Sequence, residues 1–333
     1  MESFVSNPLS VIIFSVVIIV MLLLDLGVFN KKSHAISNKE AVLWTIAWIG
    51  LSMIFSGYIY FTQGFETFTQ FQSAYWIEKA LSVDNLFVFI LVFSFFKVPK
   101  AYQHKVLFWG ILGALIMRAI FIFSGVGLIK LTYLPDITIF GEVRHINAVL
   151  TLFGGFLIYA GIKSWFVEED NQDNEDFSQS AGARIIHKLF KVSQEFDGDK
   201  FFTIENGVRV ATPLLVVVGV IEFSDLLFAV DSIPAIFAIT DDPLILYTSN
   251  IFAILGLRSL YFLLANFIHM FSRLHYGLAI ILAFIGVKML INPFYHIPSP
   301  VSLGIVGGVL IIAVVASVIW PMEEKEKSSL NKN

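Results

Sequence analysis

Nine apolar runs, each near the 20 residues or so needed to cross a hydrocarbon core, leave this chain little else to fold into. They fall near 8–28, 41–62, 73–96, 105–129, 146–166, 211–238, 244–266, 275–292 and 299–320. Only 14% of the 333 residues are charged and mean hydropathy is +0.79, against about 25% charge in a soluble domain. The expected fold is therefore an all-α polytopic membrane protein, a single membrane domain over 1–333 with about nine transmembrane helices. The first run lacks a basic leader and a small-residue cleavage site, so it reads as a spanning helix. There is no cysteine, which removes disulfides, thiolate metal sites and dithiol redox chemistry together. A net charge of −4 gives no reason to expect nucleic acid or another polyanion as a partner.

Loop charge predicts the orientation. Sixteen of the 22 Lys and Arg fall on one side of a nine-helix topology, among them Lys31, Lys32, Lys97, Lys100, Lys188, Lys191, Arg273 and Lys325. The other side holds Lys130, Arg144 and Lys288. This asymmetry predicts an outside N-terminus and a cytoplasmic C-terminus. The connection 167–209 is too charged to span, and its first part, Glu168 to Asp176, reads as a solvated linker. Around Glu205-Asn206-Gly207 the flanking β-formers predict a small hairpin.

Two acidic stretches interrupt the apolar sequence: Glu78-Lys-Ala-Leu-Ser-Val-Asp84-Asn85 and Asp225-Leu-Leu-Phe-Ala-Val-Asp231-Ser232. Each puts two carboxylates six residues apart. A carboxylate at membrane depth costs at least about 2.5 kcal/mol, so it needs a partner and marks a functional site by default. Further matches follow in the same order: Ile111-Leu112-Gly113 and Arg118 against Ile254-Leu255-Gly256 and Arg258, then Tyr159-Ala-Gly161-Ile-Lys163 against Phe284-Ile-Gly286-Val-Lys288. The unit has three helices, an odd number, so the second copy is expected upside down: 73–166 and 211–292 form an inverted repeat, with 299–320 a last helix outside it. Inverted repeats place a substrate site near the midplane at their interface.

Asp25, Glu78, Asp84, Glu222, Asp225 and Asp231 face Lys79, Arg118 and Arg258 inside the apolar runs. That balance is negative and calls for bound cations or protons. Oxygen donors from Asp, Glu, Asn and Ser suit Mg²⁺, Ca²⁺ or Mn²⁺. Asp84 and Asp231 are the expected central pair, Glu78 and Asp225 second ligands or proton carriers, and Glu222 an extension of the path. Asn85, Ser232 and Asn250 are candidate neutral ligands, with Arg118 and Arg258 the counter-charges. Residues six apart sit about 120° apart on a straight helix, so either one acid of each motif coordinates or the helix breaks between them; Pro234 is positioned to loosen the second motif. The competing reading is that Arg118 and Arg258 simply neutralise structural acids. No organic cofactor and no catalytic constellation is expected, so the chain is not read as an enzyme.

At these residues the chain resembles the TerC/Alx family of integral membrane proteins. Trp76-Ile-Glu78 through Leu-Phe-Val, Glu222-Phe-Ser-Asp225 through Ile-Phe-Ala, and Thr248-Ser-Asn250 through Arg258 look like its signature stretches. The resemblance implies a bacterial inner-membrane protein in the LysE-like transporter grouping, associated with manganese homeostasis and export, with Glu78, Asp84, Asp225 and Asp231 on the metal pathway. Some members have been described as redox modulators. The leading expectation is a divalent cation exporter for Mn²⁺, proton-coupled, working by alternating access; its partners are the bilayer and the cation. The rival is an accessory membrane protein that docks secretion or protease partners through 167–209.

Overall fold

A computed structural model describes residues 12, 14–20, 37–135, 137–139, 142–144, 146–166, 176–266 and 274–319; the side chains of Asp84 and Asp231 are not among those described. Most of the first apolar run, Asp25, the acidic run 167–175 and the end of the chain from 320 lie outside the described residues. The described chain is mostly helical. Among the described residues, six helical stretches are long and apolar enough to cross a membrane.

Residues 14–20 are helical and seat Phe14 against Phe55 and Phe252, with ring centroids 5.6 and 5.7 Å apart. Helix α1 spans Asn38–Gln63, and the Ser37 hydroxyl accepts from the Glu40 N–H at its start, an N-cap of the usual chemistry. Gly64 breaks the chain, and α2 follows over Phe65–Phe95. Helix α3 spans Lys100–Leu131. Strands β1 (Ile137–Ile139) and β2 (Glu142–Arg144) then pair antiparallel. Helix α4 covers Ala148–Phe166 and starts at Asn147, whose side-chain oxygen accepts from Leu150 N–H at 3.0 Å.

A single 3-10 turn at Phe177–Gln179 leads into α5, Ala181–Leu189. Strands β3 (Phe202–Glu205) and β4 (Val208–Ala211) form a hairpin whose turn is Asn206-Gly207, with φ of 50° and 77°. Two successive positive φ values are what a type I′ turn requires, and Asn-Gly supplies them at least cost. Helix α6, Pro213–Phe237, runs straight on from the hairpin. It remains helical through Pro234, so the proline does not break the chain between Asp225 and Asp231. The break lies elsewhere. Helix α7, Pro243–Leu255, is capped by Asp242 and stops at Gly256, and α8 resumes at Leu257–Asn266. Helices α9 (Leu274–Ile291) and α10 (Ser299–Ile319) complete the set.

Helices α2 and α6 sit side by side and antiparallel. Residues 74–81 of α2 share apolar clusters with 229–237 of α6 and with Ile239 just beyond it, while 83–93 of α2 cluster with 214–221. Helices α4 and α9 are also antiparallel and nearly backbone to backbone. A Cβ on Gly286 would lie 2.6 Å from the Gly154 carbonyl, and one on Gly161 would lie 2.7 Å from the Ala279 carbonyl. Small residues permit that approach, which gains dispersion energy where lipid offers no hydrophobic drive.

Candidate functional site

Arg118, halfway along α3, holds the centre of the molecule together. Its guanidinium is fully buried and donates through Nη1 to Glu78 Oε1, to Ser232 Oγ at 3.4 Å and to Asn250 Oδ1 at 3.2 Å. Through Nη2 it reaches Asp225 Oδ1 at 3.5 Å. Four helices therefore meet at one cation: α2 through Glu78, α3 through Arg118, α6 through Asp225 and Ser232, and α7 through Asn250. A planar guanidinium presents five donors in a fixed fork, so one arginine can serve acceptors on several elements. Glu78 Oε1 also accepts from Ser82 Oγ at 3.2 Å, one turn along the same helix.

The cluster is incompletely satisfied. Glu78 Oε2, the Arg118 Nε and the amide nitrogens of Asn85 and Asn250 are buried with no hydrogen-bond partner among the described residues. Buried polar atoms are ordinarily paired, and each exception calls for an explanation. A carboxylate oxygen and an amide left open beside the same guanidinium can serve a polar or charged ligand.

Two other ionisable groups approach the cluster through glycines. Glu222 lies on α6, three residues before Asp225, and its carboxylate fills the space that a side chain at Gly113 of α3 would need. Lys79, beside Glu78, donates from Nζ to the Ala253 carbonyl at 3.1 Å and lies 2.7 Å from where a Cβ on Gly256 would stand. Its ammonium thus meets the carbonyl end of α7, where a cation complements the helix dipole.

Of the residues singled out in the sequence, Glu78, Asp225, Ser232, Asn250 and Arg118 are brought into contact. Asn85 and Arg258 are also buried. Asp84 and Asp231 stand on α2 and α6, helices unbroken across both motifs, but their side chains lie outside those described. Among the described residues no group of three or more His, Asp or Glu is gathered to hold a metal; Glu78 and Asp225 are bridged by Arg118. Sequence reasoning misses the use of Lys79 as a helix cap. The available signal is a lysine inside an apolar run with no acid one turn away.

The family model described as integral membrane protein TerC matches residues 63–327, most of the chain and both acidic stretches. The chain belongs to the TerC family. This TerC protein is 45% identical over 306 residues to a membrane protein of Myxococcus xanthus, STKORF319, covering 92% of this chain and 91% of that one. It is 43% identical over 323 residues to Alx of Salmonella typhi, covering 94% and 95%, and 42% identical over 311 residues to Alx of Escherichia coli K12, covering 91% and 92%. Both Alx proteins carry the description of a proposed membrane-bound redox modulator. No solved structure matches this TerC chain. It is an integral membrane protein by family and by its apolar helices.

Proposed function

We propose that the protein exports divalent cations, Mn²⁺ first among them, across the bacterial inner membrane by alternating access between 73–166 and 211–292 acting as inverted halves. The observation that carries this reading is the Arg118 cluster, in which an acid from each half and two neutral ligands converge on one buried point. The antiparallel pairing of α2 with α6, and of α4 with α9, is what inverted counterparts would give. In this reading Asp84 and Asp231 supply the central oxygens, and Glu78 and Asp225, held by Arg118, serve as second ligands or proton carriers. Hard oxygen ligands of this kind suit Mn²⁺.

Arg118 is the counter-charge that Glu78 and Asp225 share when no cation is present. A dication arriving at the acids competes with the guanidinium for the same oxygens, and proton uptake by the acids releases the metal and returns the carrier. The excess of Lys and Arg on one side supports an outside N-terminus and a cytoplasmic C-terminus.

The name given to the Alx relatives supports a second reading, a membrane redox modulator. With no cysteine in the chain, thiol exchange has no group here to act on. The docking reading gains less, since residues 176–212 are tied down. Phe177 packs on Phe95 at 5.7 Å, Phe201 on Trp109 at 6.2 Å, and Lys105 donates to the Asp199 carbonyl at 2.6 Å.

The deciding experiment is Mn²⁺ flux into proteoliposomes for the parent, Asp84→Asn and Asp231→Asn. Loss of one carboxylate is expected to slow flux at least about tenfold, the equivalent of about 1.4 kcal/mol. Parental rates in both variants would remove these acids from the pathway.

A further inference from the structure

Helix α5 is the most amphipathic of the described helices and lies against the first part of the membrane-spanning α6. Its Gly182 is pressed on the Gly219 backbone of α6, so closely that any side chain at 182 would collide with the carbonyl there. Ile186 packs at the same place. At about 100° per residue, Ile185 and Leu189 continue the apolar arc sideways from this contact, while Arg184, His187 and Lys188 occupy the opposite arc. Ile185 and Leu189 are 50% and 65% exposed, and Phe190 beyond them is 40% exposed. An apolar stripe touching a spanning helix, backed by cations, is the pattern of a helix lying in a membrane interface.

The charges repeat the message. Between 181 and 191 the ionisable groups are Arg184, His187, Lys188 and Lys191, with no acid, and all four are exposed. A cavity of about 570 Å³ opens where α5 meets the hairpin, with His187, Lys188, Phe190 and Lys191 on its wall and Glu205 the one acid among its lining residues. Arg209 adds a further cation, stacked 4.3 Å from the Phe202 ring.

We propose that α5 and the edge of the hairpin form a binding site for anionic phospholipid headgroups of the leaflet next to them. Ile185, Leu189 and Phe190 enter the headgroup–acyl boundary, and Arg184, Lys188 and Lys191 hold the lipid phosphate. The bilayer is the occupant because the exposed stripe belongs to a helix packed directly on the membrane-spanning α6, and the complementary charge is carried by the same short helix. Gly219 is one turn before Glu222, so the lipid site and the acid cluster share a helix. Lipid binding does not depend on metal transport: a protein that moved no Mn²⁺ would still bind the lipid.

The test is retention of phosphatidylglycerol by the detergent-extracted full chain, measured by native mass spectrometry against phosphatidylcholine. The parent should retain phosphatidylglycerol preferentially. Arg184→Gln/Lys188→Gln/Lys191→Gln should retain it roughly a hundredfold less, since each cation near an anionic surface raises the binding constant about fivefold. Lys130→Gln, at the far end of α3, should retain it as the parent does. Ile185→Ser/Leu189→Ser should also weaken retention while keeping every charge. If the triple variant fails to fold, Lys188→Gln/Lys191→Gln is read in its place, with Lys188→Arg/Lys191→Arg as the charge-keeping control. Equal retention in parent and charge variants overturns the site. Displacement of the lipid by millimolar inorganic phosphate overturns the lipid assignment and makes it a soluble-anion site.

Discussion

The two Ile-Leu-Gly stretches carry the same three letters and meet opposite charges. At Gly113 the helix runs on without interruption, and the space beside the glycine is filled by the carboxylate of Glu222. At Gly256 the helix stops, α7 gives way to α8, and the space is filled by the ammonium of Lys79. Each glycine receives its ionisable group from the other half, Lys79 from within its acidic stretch and Glu222 from three residues before its own. Glycine is used in both places for room, and the charge that occupies the room decides the backbone. A cation can satisfy the open carbonyls of a helix end, so Lys79 makes a break at Gly256 tolerable inside lipid. A carboxylate has no such use for carbonyls, and α3 stays whole.

The largest effect is expected from the group that joins the two regions. Arg118→Gln leaves Glu78 and Asp225 buried without their counter-charge, and removing one partner of a buried pair costs about 3–5 kcal/mol. Thermal unfolding in lipid nanodiscs should show a loss of that size. Arg118→Lys keeps the charge but cannot serve acceptors on three helices, and should recover only part of it. The triple variant Arg118→Gln/Glu78→Gln/Asp225→Asn should be more stable than Arg118→Gln alone. If the single and triple variants unfold alike, the cluster is not held by charge.

A smaller effect separates the two glycines. Gly256→Ala drives Lys79 from Ala253 and also presses a Cβ to 3.3 Å from that of Trp48, a buried side chain with little freedom. At Gly113→Ala the nearest atoms are the carboxylate end of Glu222, which is half-buried and can swing away. The first should cost about 1–3 kcal/mol, from overpacking and an unpaired buried group, and the second distinctly less. Adding Glu222→Ala should relieve Gly113→Ala, whereas Lys79→Ala should not relieve Gly256→Ala, because the helix end loses its cap. Equal losses at both positions would show that the glycines do nothing charge-specific.

Most helix positions are legible because apolar runs mark them. The runs at 41–62, 105–129 and 299–320 agree to within five residues at each end with Asn38–Gln63, Lys100–Leu131 and Ser299–Ile319. Hydropathy starts the third run at 73, but α2 begins at Phe65. Its first turns hold Thr69, Gln72 and Ser73, which hydropathy counts against a membrane helix, yet all three are buried, and Gln72 donates to Ser56 at 2.7 Å. The break at Gly256 is hidden for a different reason: the residues just around it, Ile251 to Leu257, read as continuous helix, and the lysine that caps the break stands 174 positions before the Ala253 carbonyl that accepts from it. Pro234 has the chemistry to loosen α6, since it removes the bond to the carbonyl of residue 230, but the helix ends three residues later at Phe237, so little helix lies beyond it to be displaced. Of the site, the residue types are readable and the partnerships are not. Arg118 reads as a counter-charge, but that it holds Glu78 and Asp225 at once follows only from the crossing of α2, α3 and α6.

An ion pair that water reaches makes the opposite case to Arg118. Asp197 accepts from Lys200 Nζ at 3.0 Å and from Thr203 Oγ1 at 2.8 Å. Those hydrogen bonds, from Lys200 first, hold its carboxyl below the usual aspartate value. A lowered value in the folded state means that the stabilisation is complete above the ordinary aspartate range, about pH 4, and fades as pH falls through the lowered value. Exposed pairs are screened and contribute little, so Asp197→Asn should produce the smallest change of the three, visible at pH 7 as a slight drop in unfolding temperature and absent once the parent carboxyl is protonated. Raising monovalent salt should shrink it further, while leaving the Arg118→Gln loss nearly untouched because buried pairs are screened far less. A salt-insensitive difference at Asp197, or a salt-sensitive one at Arg118, would mean that the boundary between the wet hairpin and the dry helix cluster is drawn in the wrong place.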